Sequence, residues 1–168
     1  ARAFIADQPR QMRVGVVGVA AAAAVVQAPT TNREDVRKAI DRLQPQRGTA
    51  LGSGIIIALA TLLPGADINV AELIGEGPPQ ATPTAPPKTP RSKPIAAVAA
   101  PNNASAIVLV TDGQSNTGPD PQKAADLAAE HGVRVFTVGI GTPQGTTVNT
   151  DGYSLRVRLD EEALKKIA

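Results

Sequence analysis

Apolar residues along this chain fall into two kinds of pattern. The first is the short unbroken run bounded by turn residues: Arg13 to Val19, Ala106 to Val110 leading into Thr111 and Asp112, and Val133 to Ile140. Runs of this length, rich in Val and Ile, predict strands buried on both faces. From Ser154 to Leu159 the chain alternates instead, Leu155 and Val157 against Arg156 and Arg158, which predicts a half-exposed strand. The second pattern is helical. Ala1 to Asp7 reads as the end of a helix with Phe4 and Ile5 inward, stopped by Pro9. Thr31 to Glu34 fits a capping box with Thr31 as N-cap, followed by the stripe Val36, Ile40 and Leu43 and closed by Pro45. Gln46 to Gly54 reads as a Gly-rich loop into an apolar helix from Ile55 to Leu63. Asp120-Pro121 opens a helix carrying Ala124, Ala125, Leu127 and Ala128, which stops at His131-Gly132. Asp160 caps a last helix, with Glu161 and Glu162 in its first turn and Lys165 and Lys166 in its last. Ala20 to Ala24 suits a helix by propensity, but its Gly and Val flanks favour strand, turn, strand, with Val25 to Gln27 a short edge strand. Gly141 to Gly152 reads as a loop. Strands alternating with helices predict an α/β fold: a Rossmann-like, open, mostly parallel sheet with helices on both faces.

Length narrows this to one domain, since 168 residues can bury a real core. The exception is residues 75–103, which hold 8 of the 15 Pro and no aromatic residue. Such a stretch buries too little apolar surface to order itself and is expected to be a disordered or loosely extended insertion in the domain formed by 1–168. Charge adds little. The net +2 comes from Lys88, Arg91 and Lys93 against Glu76 in that insertion, and the rest balances. With two Phe, one Tyr and no Trp there is neither a basic stripe nor a stacking platform, so nucleic acid is not an expected partner. No run of 18 apolar residues would span a bilayer. The opening lacks both a Met and a secretory pattern, as expected for a piece of a longer chain. The absence of Cys excludes disulfides and thiolate metal sites.

Two places could carry chemistry. Asp112 stands where the Ala106 strand ends, and ligand crevices of open α/β sheets lie at the carboxyl ends of strands. Gly113 allows a sharp turn, and Ser115, Asn116 and Thr117 bring oxygens beside the carboxylate. That set suits a hard divalent cation such as Mg²⁺; an ordinary turn after a strand fits the residues as well. Thr49, in a Gly-flanked loop before a helix, has a hydroxyl that either points into the same crevice or caps the helix. Gly139-Ile-Gly141 is followed by Pro143 and Gly145, not by a helix, so it does not read as a dinucleotide loop. There is no Walker sequence and no set of nucleophile, base and orienter, and His131 lies at a helix end. A binding module, not an enzyme, is expected.

The order and wording of these pieces resemble a von Willebrand factor type A domain of the bacterial membrane-associated kind. The resemblance lies in Arg13–Val17, Gln27–Glu34, Leu43–Gly52, Ile107–Gln114, Gly132–Thr142 and Arg158–Glu162. It implies a metal-ion-dependent adhesion site holding Mg²⁺ or Mn²⁺, with Thr49 and Asp112 in its Thr and Asp roles. A partner protein's carboxylate would complete the metal shell, and Gly113, Gln114 and Ser115 are the candidate partner contacts. It further implies membrane helices outside these residues, a soluble domain tethered at a bacterial inner membrane, and cooperation with a MoxR-type ATPase. Alternatives are a metal-free scaffold of the same fold, or the domain of an ATPase or chelatase complex. The family's Asp-x-Ser-x-Ser motif occurs nowhere in the chain. By family order it belongs on a strand before Ala1, between the Val14 and Ala106 strands, so the fold is expected to be N-terminally truncated here. Each backbone group left unpaired by its absence would cost about 1–3 kcal/mol. Residues 1–168 alone are therefore not expected to be autonomous.

Overall fold

The computed structural model describes residues 2–44, 46–75, 105–150 and 153–168. In chain order the elements are α1 (Arg2–Asp7), β1 (Val14–Val19), β2 (Ala23–Thr30), α2 (Arg33–Asp41), α3 (Leu51–Leu62), α4 (Val70–Ile74), β3 (Ala106–Thr111), α5 (Pro121–Glu130), β4 (Arg134–Gly139), β5 (Thr146–Thr150), β6 (Tyr153–Val157) and α6 (Glu161–Ile167). Among the described residues the strands form three pairs. β1 and β2 are antiparallel, β3 and β4 are parallel and in register from Ala106 opposite Arg134 to Thr111 opposite Gly139, and β5 and β6 are antiparallel. β1 and β3 are not hydrogen-bonded to each other.

The core is built on α3. Its Leu51, Ile55, Ile56 and Leu59 pack with Ile107 and Leu109 of β3, Val133 and Val135 at β4, Ala124, Ala125 and Ala128 of α5, and Ile167 of α6. The helix LGSGIIIALATL is apolar nearly all round, as a helix buried on most sides must be. It also begins earlier than Ile55. Its first turn takes in Gly52 and Gly54 because side chains there have no room: a Cβ on Gly52 would run into the Pro119 carbonyl oxygen, and one on Gly54 would meet Val19 at 2.6 Å. These glycines permit close packing, which outweighs their helix penalty of about 1 kcal/mol.

Other local expectations change as well. The N-cap of α2 is Asn32, not Thr31: the Asn32 side chain accepts from the Glu34 N–H at 3.0 Å, while Thr30 Oγ1 accepts from the Asn32 N–H. Val36 and Ala39 are buried in α2, and Leu43 is exposed beyond its end. Pro45 lies outside the described residues, as does nearly all of the 75–103 segment. In α1 Ile5 is buried but Phe4 faces solvent. β2 is a full strand of eight residues. The expected Gly141–Gly152 loop contains β5, which folds back on β6 as a hairpin. The caps at Asp120 and Asp160 are as expected, each side-chain oxygen accepting a first-turn N–H, from Gln122 at 2.8 Å and from Ala163 at 3.0 Å.

The largest difference concerns β3. Its Ile107, Leu109 and Thr111 are buried, but Ala106, Val108 and Val110 are exposed. On β4, Phe136 and Val138 are exposed on the same side. Helices α3, α5 and α6 occupy the other face, so among the described residues this parallel pair is covered on one face only.

Candidate functional site

Thr49 and Asp112 come from loops 63 positions apart in the sequence, yet the structure joins those loops closely. Asp112 directly follows β3 and is half-buried. Its Oδ1 accepts the Gln114 N–H at 3.1 Å, and its carbonyl accepts the Asp160 N–H at 2.8 Å. Gly113 is buried with φ +88°, and a Cβ there would lie 2.7 Å from the Asp160 carbonyl oxygen, so the turn needs glycine. Gln114 Nε2 donates to the Arg158 carbonyl at 3.1 Å. The strand thus holds the Asp112 turn from below, and the segment before α6 holds it from the side.

Thr49 precedes α3 and is half-buried. The helix N-cap is Ala50, which has no capping side chain, so Thr49 does not cap α3. Ser115 does so from across the sequence: its Oγ accepts the Leu51 N–H at 3.3 Å and donates to the Thr49 carbonyl at 3.2 Å. Asn116 Oδ1 accepts the Thr49 N–H at 2.8 Å, and the Asn116 and Thr117 N–H groups both reach the Thr49 carbonyl, at 3.0 and 3.3 Å. Thr117 Oγ1 donates to the Ala21 carbonyl at 3.3 Å, tying in the turn after β1. Backbone groups in a loop over a core must find partners, and residues 115–117 supply them for Thr49.

Of the sequence candidates, Gln114 is exposed, Gly113 is packed against Asp160 and Leu164, and Ser115 serves the Thr49 loop. The sequence reading missed this use of Ser115 and Asn116. One signal was available: a helix opening with Ala50 in place of Ser, Thr, Asp or Asn needs its first N–H groups satisfied from elsewhere.

Among the described residues, the Thr49 hydroxyl and Asp112 Oδ2 make no hydrogen bond. Both are hard oxygen donors of the kind Mg²⁺ and Mn²⁺ take. No group of three or more His, Cys, Asp or Glu is placed to hold a metal ion among the described residues. The donors fit a hard divalent cation in kind, and supply part of the six-oxygen shell that Mg²⁺ requires.

Two family models, both described as von Willebrand factor type A domain, match residues 1–114 and 91–168. The chain belongs to the von Willebrand factor type A domain family. The α/β fold agrees with solved structures. The structure of BatB from Bacteroides thetaiotaomicron superposes with a TM-score of 0.66 at 20% identity, over 99% of this chain and 70% of that one. An aerotolerance-related membrane protein from Bacteroides fragilis gives 0.67 at 18%, over 99% and 71%. Proximal thread matrix protein 1 from the mussel byssus, described with a zinc-occupied MIDAS motif, gives 0.57 at 20%, over 99% and 34%. Among sequence relatives, a UPF0353 protein of Mycolicibacterium paratuberculosis is 35% identical over 93% of this chain, and one of Mycolicibacterium gilvum 34% over 94%. The chain spans about two fifths of the length of these relatives, 40% in each case. Within this type A domain, Thr49 and Asp112 lie on neighbouring loops beyond the carboxyl end of β3.

Proposed function

We propose that this von Willebrand factor type A domain is a protein-binding module that uses a divalent cation, Mg²⁺ or Mn²⁺, held in part by Asp112 and Thr49. The observation that carries the reading is the pair of oxygens without a hydrogen bond among the described residues, Thr49 Oγ1 and Asp112 Oδ2, on two loops that Ser115 and Asn116 fasten together. The cation supplies a positive centre for a partner's carboxylate; Gln114 and Ser115 flank that approach, with Gly113 setting the turn beneath them. The remaining metal oxygens come from water and from sequence outside these residues. The chemistry asked of these residues is binding, without a reaction. By analogy with the aerotolerance-related membrane protein, the domain is tethered at a bacterial inner membrane by segments elsewhere in its protein. A MoxR-type ATPase is the partner system we favour.

Titration calorimetry of the full-length protein with Mn²⁺ and Mg²⁺ tests the reading. Binding that is lost in Asp112→Ala, with the fold retained by circular dichroism, supports it. Equal binding by wild type and Asp112→Ala removes Asp112 from the site. The metal-free scaffold is the second reading, favoured by the small number of acidic side chains gathered among the described residues. It gains the ground if wild type binds neither ion.

A further inference from the structure

Asn116 is exposed, and yet uses both its side-chain acceptor and its own N–H on one residue 67 positions away. Its Oδ1 takes the Thr49 N–H at 2.8 Å while its N–H reaches the Thr49 carbonyl at 3.0 Å. The two bonds close a ring that fixes the Thr49 peptide units on either side of the side chain. Ser115 adds a bond to the same carbonyl and caps α3. The Asp112 loop, held at its base by Asp160 and Arg158, thereby carries Thr49 with it.

We infer that Asn116 is a positioning residue that locks the Thr49 loop to the Asp112 loop, so that the Thr49 hydroxyl and Asp112 Oδ2 are presented to a cation as one rigid pair. This rests on the proposed metal reading, and deepens it. A cation held by two separately mobile loops must pay for ordering both when it binds; a preformed pair has that ordering done in the fold. The side-chain acceptor is what matters. Asn116→Asp keeps an oxygen for the Thr49 N–H, whereas Asn116→Ala removes it and leaves the remainder of the chain unchanged.

The test uses the full-length protein and two readouts. Hydrogen exchange without added metal reports the lock itself. The Thr49 amide exchanges about 5–10 times faster in Asn116→Ala than in wild type and stays protected in Asn116→Asp, with the Leu59 amide in α3 unaffected in both. Mn²⁺ titration reports the consequence: Asn116→Ala weakens affinity by about the same factor, and Asn116→Asp restores at least wild-type affinity. Unchanged exchange at Thr49 in Asn116→Ala overturns the inference, as does faster exchange with unchanged Mn²⁺ affinity. If wild type binds no Mn²⁺ while Asn116→Ala still frees Thr49, the lock stands, the metal reading falls and Asn116's role for a cation falls with it.

Discussion

The two larger strand pairs are clothed differently. In β1–β2, neighbouring residues Gly18 and Val19 point to opposite faces; the first lies against Leu43 just beyond α2, the second against Gly54 of α3. Chain at the end of α2 thus lies against one face and α3 against the other, although no residue of this pair is fully buried and Val25 is 44% exposed. In β3–β4, helices α3, α5 and α6 bury Ile107, Leu109 and Val135, while Val108, Val110, Phe136 and Val138 on the other face are 41–50% exposed. Parallel strands are ordinarily buried on both sides, and the alternating residues here are apolar on both. The difference teaches that hydrophobicity marks a face as able to be buried. Which face is buried depends on what the rest of the protein brings to it.

Substitutions on the two faces of β3–β4, in α3 and at the α6 cap put that contrast to the test. Leu109→Ala, on the covered face, is expected to lower stability by about 2–5 kcal/mol in urea unfolding of the full-length protein. A loss below 1 kcal/mol would show that the α3 side is not the core. Gly52→Ala drives a methyl into the Pro119 carbonyl and is expected to cost about 1–3 kcal/mol; a neutral result would mean α3 can move away from the 115–120 loop without loss. Asp160→Ala removes the cap of α6, which packs on β4 from the covered side, and should cost about 1 kcal/mol in the same assay. The smallest change is expected on the open face. Val110→Ser should shift stability by about 0.5 kcal/mol or less, as an exposed position does. A cost above 2 kcal/mol in the full-length protein would reverse the comparison, showing that Val110 is buried there by chain beyond these residues.

Much of the fold was legible in local pattern. The runs at β1, β3 and β4 and the caps at Asp120 and Asp160 depend on residues adjacent in sequence, where side-chain type alone decides the geometry. The start of α3 was not, because Gly52 and Gly54 look like loop residues until Pro119 and Val19 are seen pressed against them. β5 was missed because Gly and Pro around Thr142 to Gly145 hid a strand defined by its partner β6. In the candidate site, Asp112 and Thr49 could be picked out by type and place, whereas the work of Ser115 and Asn116 could not. Hydrogen bonds spanning more than 60 residues leave no local signature.

Local sequence therefore sufficed for most of the strands and helices, with β5, α4 and the first turn of α3 excepted, and for the glycine turn after Asp112 and the oxygens on offer at its end of the sheet. These follow from periodicity, capping and φ preference, all of which act over a few residues. Tertiary structure alone decided that the Thr49 and Asp112 loops form one unit, that α3 is capped by Ser115 from a distant loop, and that one apolar face of β3–β4 is covered while the other is open. Those outcomes depend on which surfaces and unpaired backbone groups meet in space, and contacts between distant segments are set by packing of the whole.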